Sequence, residues 1–388
     1  MMTPTLLLAT WPFLDEISRI AVFLIMLSVL VVLHEGGHFL VARWNGVRVN
    51  DFAVGFGPTL LKWTSPRSGT NYRLNLLPVG GYCAMQGEDG KTSEAQQQRD
   101  FRASPEDGVA AVGADDNFQA KSPWRRLSIV AAGPIANFIV AFVILFVGTL
   151  AFGAMSSRVS TSIGPVLPGS PGARAGLELG DRIVSLNGNP IVDGGKMVAE
   201  IHASPGRPLR VGIEHHGTVR AVTIVPATKK GPDGKTVGQI GFSTMSLYER
   251  VGFGAAVIFA TERFTELVVG NVQGLGGLLV HPHAALAQVS GPIGMARISS
   301  QAQDLGWGPY LQLAAAISIA LGIFNFLPIP ALDGGRGIFI LAEMVRGRPV
   351  DPEKEALVHV TGFALLMVLM IFVAYHDIAN IVSSKGAL

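Results

Sequence analysis

Two histidines and a glutamate, His34-Glu35-Gly36-Gly37-His38, stand in the order H-E-x-x-H. On a helix, residues four apart lie one turn apart on the same face, so both imidazoles can reach one metal ion. Glu35 sits beside them, placed to act on water rather than to ligate. In zinc hydrolases of this arrangement the metal lowers the pKa of a water and the carboxylate takes its proton. The five residues lie inside the apolar run Ile20–Ala42, which holds no other ionisable side chain. At 1.5 Å per residue a helix over that run measures roughly 34 Å, against a hydrocarbon core of about 30 Å. Two histidines and a glutamate in lipid are costly, so they mark a functional site. Gly36 and Gly37 each weaken a helix by up to ~1 kcal/mol relative to alanine, and can instead let another backbone approach closely.

A two-histidine site needs a third protein donor while a fourth position stays open. The single cysteine, Cys83, excludes an internal disulfide and a cysteine-based zinc site. Asp333 is the expected third ligand. It follows Asn325-Phe326-Leu327-Pro328-Ile329-Pro330-Ala331-Leu332 and precedes Gly334-Gly335-Arg336. Two prolines two apart cannot continue a regular helix, so the backbone unwinds there, as it can at membrane depth when it lines a cavity. The other reading of Asp333 is a cap on the following helix.

The elements that must position these groups are membrane spans. With 388 residues, 49% hydrophobic and 15% charged, the chain has the composition of a polytopic membrane protein, and its net charge of +2 gives no indication of a nucleic-acid partner. Four spans are expected: Ile20–Ala42, Leu127–Phe152, Leu311–Leu332 and approximately Leu357–Tyr375. Thr3–Leu14 has no basic region, so no cleaved leader is expected. Arg43 and Arg48 follow the first span, Lys121, Arg125 and Arg126 precede the second, and Arg336, Arg346, Arg348 and Lys354 lie between the third and fourth. Positive charge marks cytoplasmic ends, so both termini and the loop between spans two and three are expected outside, with the site toward the cytoplasmic side.

The expected divisions are 1–46, the first span; 47–126, a cytoplasmic loop of membrane-associated strands and a flexible part; 127–155, the second span; 160–245, a soluble module; 246–300, an amphipathic extracytoplasmic segment; 308–345, the third span; and 355–380, the fourth. Within the loop, Val54–Pro58, Tyr72–Leu76 and Pro78–Tyr82 read as strands and turns. Such strands can pair with an extended substrate, or serve only as a structural hairpin. Gly90–Ala120 is polar and reads as a flexible loop. Asn137, in Gly133-Pro134-Ile135-Ala136-Asn137, can bond to a neighbouring helix or help arrange the site. Phe253, Val257, Phe264, Leu267 and Val268 recur at helical spacing beside Glu262, Arg263 and Glu266, which reads as an amphipathic helix on the outer membrane surface. His202, His215 and His216 are expected at the surface, and His281 and His283 are not expected to ligate.

Gly172-Ala173-Arg174-Ala175-Gly176-Leu177, Gly180-Asp181-Arg182-Ile183 and Asn187-Gly188 resemble a PDZ domain of the kind attached to bacterial proteases. Together with the H-E-x-x-H, Gly133-Pro134-x-x-Asn137, Ser290-Gly291-Pro292-Ile293-Gly294 and Asn325-x-x-Pro328-x-Pro330-x-Leu332-Asp333-Gly334-Gly335, the whole chain resembles the site-2 protease family. The likeness is nearest to the bacterial regulator-of-sigma-E branch in a single-PDZ form. The resemblance implies one zinc ion at His34, His38 and Asp333, Glu35 as general base, and Asn325 holding the substrate or the developing oxyanion. It implies a substrate-facing part for the strands of Tyr72–Tyr82. Tyr72, Leu74, Leu76, Gly80 and Gly81 are taken as substrate-contacting residues, and Asn137 with them. It further implies an intramembrane endopeptidase of the bacterial inner membrane that cuts single-span membrane proteins such as trimmed anti-sigma factors or remnant signal peptides. The outer module would contact substrates or exclude bulky ones. Gly36 departs from relatives, which usually carry a larger apolar side chain there. Two rival classes are a membrane-bound PDZ adaptor with an inactive metal site, disfavoured by Glu35, and another H-E-x-x-H membrane protease with a glutamate as third ligand, disfavoured by Asp333-Gly334-Gly335.

Overall fold

The structure, a computed structural model, describes residues 12–88, 116–230, 236–280 and 291–385. The start of the chain up to residue 11, loop residues 90–115, His281, His283 and Ser290 therefore lie outside the described residues. The chain divides into two compact units, one of residues 1–146, 260–300 and 310–381, the other of 147–259, 301–309 and 382–388.

In the first unit, α1 (Pro12–Trp44), α2 (Pro123–Phe152), α7 (Trp307–Phe326) and α9 (Pro352–Lys385) contain the stretches long and apolar enough to cross a membrane. The region expected as one third span over 308–345 is two helices. α7 stops at Phe326, residues 327–332 are non-helical, and α8 (Asp333–Arg346) restarts at the aspartate. Pro328 and Pro330 supply no N–H to a continuing ladder, which explains the break.

Helix α1 crosses α2 at small residues. A Cβ on Gly37 would stand 2.4 Å from the Ala132 carbonyl oxygen and 2.7 Å from the Ala136 Cβ, so only glycine permits this approach. Beyond the crossing, Ala42, Val47 and Val49 pack with Cys83, Met85, Phe118, Ile129, Val130 and Ile340. That cluster anchors an antiparallel pair, β1 (Val49–Thr64) and β2 (Asn71–Met85), whose register shifts repeatedly. The pair exposes Leu60, Leu61, Trp63, Leu74, Leu76 and Leu77, an apolar surface suited to a membrane boundary.

The segment expected as an amphipathic helix on the outer membrane surface is helical, α5 (Phe253–Val280). Its stripe of Ala260, Phe264, Leu267 and Val268 packs with Phe138, Ala141 and Leu145 of α2 and with Ala315 and Ile319 of α7. The Phe264 ring sits 6.3 Å from Phe138 and 6.1 Å from Phe142, near the middle of α2. One apolar stripe of α5 thus packs on protein, while Phe253, Ile258, Val269 and Val272 stay exposed. After it, α6 (Pro292–Asp304) is capped by the Asp377 carboxylate of α9, which accepts from Gly291 N (3.2 Å) and Gly294 N (2.9 Å).

The second unit holds a sheet in the order β10-β3-β4-β6-β7, with β5 beside β4, and a separate β8–β9 pair. Its strands are β3 (Ala154–Val166), β4 (Arg182–Leu186), β5 (Asn189–Pro190), β6 (Leu209–His215), β7 (Thr218–Ile224), β8 (Ala227–Lys230), β9 (Thr236–Gln239) and β10 (Phe242–Glu249). The module's first and last strands run past the expected 160–245 limits, since β3 and β10 pair from Ala154↔Glu249 to Val166↔Phe242. Asn187 (φ 51°) and Gly188 (φ 88°) make the tight turn expected between β4 and β5. Two helices, α3 (Pro171–Arg174) and α4 (Gly194–His202), complete the module, and Met197 and Ile201 of α4 bury into a core of Ile163, Ile183, Leu186, Val211 and Ile213.

At the foot of the first unit the buried Arg126 guanidinium pairs with Glu343 of α8 and also bonds to Gln119. Breaking such a pair strands a buried charge. Glu343→Ala is expected to lower the unfolding free energy of the full chain in detergent by about 3 kcal/mol. A loss below about 1 kcal/mol in a denaturant titration would show the pair to behave like an exposed one.

Candidate active site

The apolar sequence of α1 carries His34 and His38 on the face turned to α2, and both are buried at 7% and 6% exposure. Asp333 arrives from the other side as the first residue of α8. His34 Nε2 and His38 Nε2 are 3.2 Å apart, and Asp333 Oδ2 lies 3.1 Å from the first and 3.3 Å from the second. Despite those distances Asp333 Oδ2 is buried without a hydrogen-bond partner. The three atoms converge on a common point. Ligand atoms held at about 2.0–2.1 Å around a tetrahedral zinc stand roughly 3.3 Å apart, so the donor set fits that ion. Among the described residues, these three form the one group of histidine, cysteine and carboxylate donors close enough to share a metal.

Helix α2 leaves the room. A Cβ on Gly133 would sit 2.2 Å from His38 Nε2 and 2.7 Å from His34 Nε2. The same helix holds the far side of each ring. His38 Nδ1 donates to the Ile129 carbonyl at 2.8 Å, and the Asn137 amide stands 3.0 Å from His34 Nδ1. Asn137 is 0% exposed. Its expected substrate contact is therefore corrected: the side chain is spent on a ligand and has no open surface.

Asp333 depends on the non-helical link before it. Ala331 adopts φ 74°, a left-handed conformation unfavourable for alanine, and its N–H donates to His359 Nδ1 of α9 at 2.9 Å. The two glycines after Asp333 are required by the same fold-back. A Cβ on Gly334 would stand 2.2 Å from the Leu327 carbonyl oxygen, and one on Gly335 2.4 Å from that of Ile329.

Glu35 lines a cavity of about 250 Å³ with His38, Val130, Asp333 and His359, closed on one side by Tyr82, Cys83 and Met85 of β2. Glu88 and Arg336, also in the lining, form an ion pair. Burial pushes the Cys83 thiol above its ordinary range, and Glu35 and Glu88 add to the effect, so this wall is neutral. The expected substrate residues of β2 are not among the cavity's lining. Tyr72 stacks on Trp63 at 5.2 Å, Leu74 and Leu76 are exposed, and Gly80 and Gly81 pack against Phe56 and the Ala53 carbonyl. The end of β2 nearest the metal donors is Tyr82–Met85. Asn325 donates its amide to the Leu321 carbonyl of its own helix at 3.0 Å. Sequence reasoning did not bring Glu88 and His359 to the site, since neither carries a motif; Tyr82, Gly133 and Arg336 stood within the quoted motifs without being tied to the metal donors.

A histidine pair one turn apart, an aspartate as third donor and a free carboxylate beside them, carried on apolar helices, define a membrane metallohydrolase. The chain belongs to peptidase family M50, whose description matches residues 22–369. A Rhizobium meliloti relative named as a zinc metalloprotease is 35% identical, covering 94% of this chain and 98% of its own. Zinc metalloprotease RasP of Geobacillus kaustophilus is 32% identical over 94% of this chain and 98% of its own. The Regulator of sigma-W protease RasP of Bacillus subtilis is 29% identical over 94% and 99%. Among solved structures, a PDZ domain of a Listeria monocytogenes SdrC-like protein is 23% identical, covers 22% of this chain and 85% of that one, and has a TM-score of 0.19. Family and relatives alike make this chain a metalloprotease that depends on zinc.

The two glycines nearest the donors make opposite forecasts. Gly133→Ala should purify folded but with zinc content reduced by at least about 10-fold, as expected when a ligand set is displaced. Gly36 has nothing within 4 Å of a built Cβ, so Gly36→Ala should leave zinc content unchanged and gain up to ~1 kcal/mol of helix stability. Metal analysis of both variants checks the pair.

Proposed function

We propose that the protein is an intramembrane endopeptidase of the bacterial inner membrane that cuts single-span membrane proteins in or near their transmembrane segments. The observation that carries this reading is the position of Glu35, which opens on the cavity beside three convergent donors while standing inside an apolar helix of spanning length. Bound zinc supplies Lewis-acid polarisation of the scissile carbonyl and acidifies water. His34, His38 and Asp333 hold it. Glu35 takes the proton of the attacking water and returns it to the leaving amine. Asn325, once its amide leaves Leu321, steadies the substrate.

A helical substrate hides its amides in its own hydrogen bonds, so the scissile stretch must unwind before it can be cut. In the β1–β2 sheet, Tyr82–Met85 pairs on one side only, with Val49–Ala53, which leaves its other side for an extended segment. Tyr82, Cys83 and Met85 place one end of that sheet at the cavity wall. By the distribution of lysine and arginine, both termini and the PDZ-type module face outward and the site lies toward the cytoplasm. The sigma-W regulation in the Bacillus relative's name favours anti-sigma factors among possible substrates, with remnant signal peptides as a second group. The outward module then excludes substrates whose outer domain is still bulky.

Purified protein and a tagged single-span substrate test the chemistry. Glu35→Gln should retain zinc and lose about 10²- to 10⁴-fold in cleavage rate, and Asp333→Ala should lose the zinc itself. Undiminished cleavage by Glu35→Gln would end this mechanism. Deleting the module, residues 154–249, should extend cleavage to substrates with intact outer domains; unaltered selectivity would remove the exclusion role.

A further inference from the structure

We propose that Asn137 is a positioning residue that holds His34 in the tautomer able to bind the metal, its side-chain carbonyl accepting a hydrogen bond from His34 Nδ1–H. The inference rests on the zinc metalloprotease reading and assigns the group that makes one of its ligands competent. A neutral imidazole carries one proton, so a nitrogen that ligates must be bare and the other must hold the N–H. His34 Nε2 is the atom that faces His38 Nε2 and Asp333 Oδ2, at 3.2 and 3.1 Å. The proton of His34 therefore belongs on Nδ1, and Nδ1 needs an acceptor.

His38 shows the solved version of the same problem. Its Nδ1 meets the Ile129 carbonyl, which can only accept, and the tautomer follows. His34 meets an amide instead, and an amide offers either end. The structure places Nδ2 inward, 3.0 Å from Nδ1, and leaves Oδ1 buried with no partner. With the nitrogen inward, His34 would have to accept at Nδ1 and carry its proton on Nε2, in the middle of the donor set. A half-turn of the amide occupies the same volume, brings Oδ1 to Nδ1–H and frees Nε2. It also turns the orphaned oxygen toward a donor, while Nδ2 takes the oxygen's former place.

The turn of α2 that carries Asn137 is held against α7. Ser318 Oγ of α7 donates to the Asn137 backbone carbonyl at 2.8 Å, and a Cβ on Gly322 would lie 3.3 Å from the Asn137 Cβ. Ile129, Gly133 and Asn137 are spaced four apart, so they share one face of α2. That face supplies an acceptor for each histidine and, between them, the gap where the donors converge.

The test uses the purified full chain in detergent, with zinc affinity measured by competition against a chelator and the ligand field read from the cobalt-substituted protein. Asn137→Asp keeps an acceptor and removes the donor; Asn137→Leu keeps the volume and removes both. We expect the leucine variant to lose about 10- to 100-fold in zinc affinity with an altered cobalt spectrum, and the aspartate variant to stay within about 3-fold of the parent. A leucine variant that binds zinc as the parent does overturns the proposal, and so does an aspartate variant that falls as far as leucine, since the side chain would then act through packing. A parent chain that binds no zinc would instead defeat the metalloprotease reading itself.

Discussion

The close crossing of α1 and α2 is the constraint on which the remaining geometry of the first unit depends. Lipid offers helices no hydrophobic reason to associate, so small residues that let backbones touch provide much of the attraction. Gly37 supplies that contact through the Ala132 carbonyl, and Gly133, one residue further along α2, lies against the two imidazoles. Separating the helices by the width of a methyl group would move the histidines off Ile129 and Asn137 together. The intrinsic cost of Gly36 and Gly37 in a helix, up to ~1 kcal/mol each, is small beside the loss of that arrangement.

The third donor needs the opposite device. The histidines sit on a regular helix, whereas Asp333 is carried by a break that two prolines enforce and two glycines accommodate. The strained Ala331 is held from another helix by His359. Rigid spacing on one side and an imposed fold-back on the other bring together residues almost 300 positions apart in sequence. Around them the ionic groups are paired: Arg126 with Glu343, and Arg336 with Glu88.

What the sequence made legible follows from the range of each interaction. The H-E-x-x-H depends on helical spacing over five residues, and the Asp333 link on two prolines, so both could be read locally. The turn at Asn187-Gly188 and the α4 helix are local in the same way. Which end of β2 lines the cavity was not legible, because alternation along a strand shows which residues share a face but not which end meets a cavity. Helix α5 shows another limit: an amphipathic pattern reveals that one face is buried without revealing what buries it. The Glu88–Arg336 pair joins segments 248 residues apart and leaves no trace in composition. Asn137 fell between the two cases, since its polarity in an apolar run was visible and its partner was not.

Helix α9 is fastened to the first unit by polar contacts near its two ends. His359 takes the Ala331 N–H at one end, and Asp377 caps α6 at the other. Gly362 rests on Pro330 close to the first of these, while Leu365, Val368, Leu369, Ile371 and Phe372 in the stretch between are exposed. Mechanically this is a beam clamped at both ends and free along its middle. The exposed middle of α9 is thereby joined, through His359 and Ala331, to the link that carries Asp333.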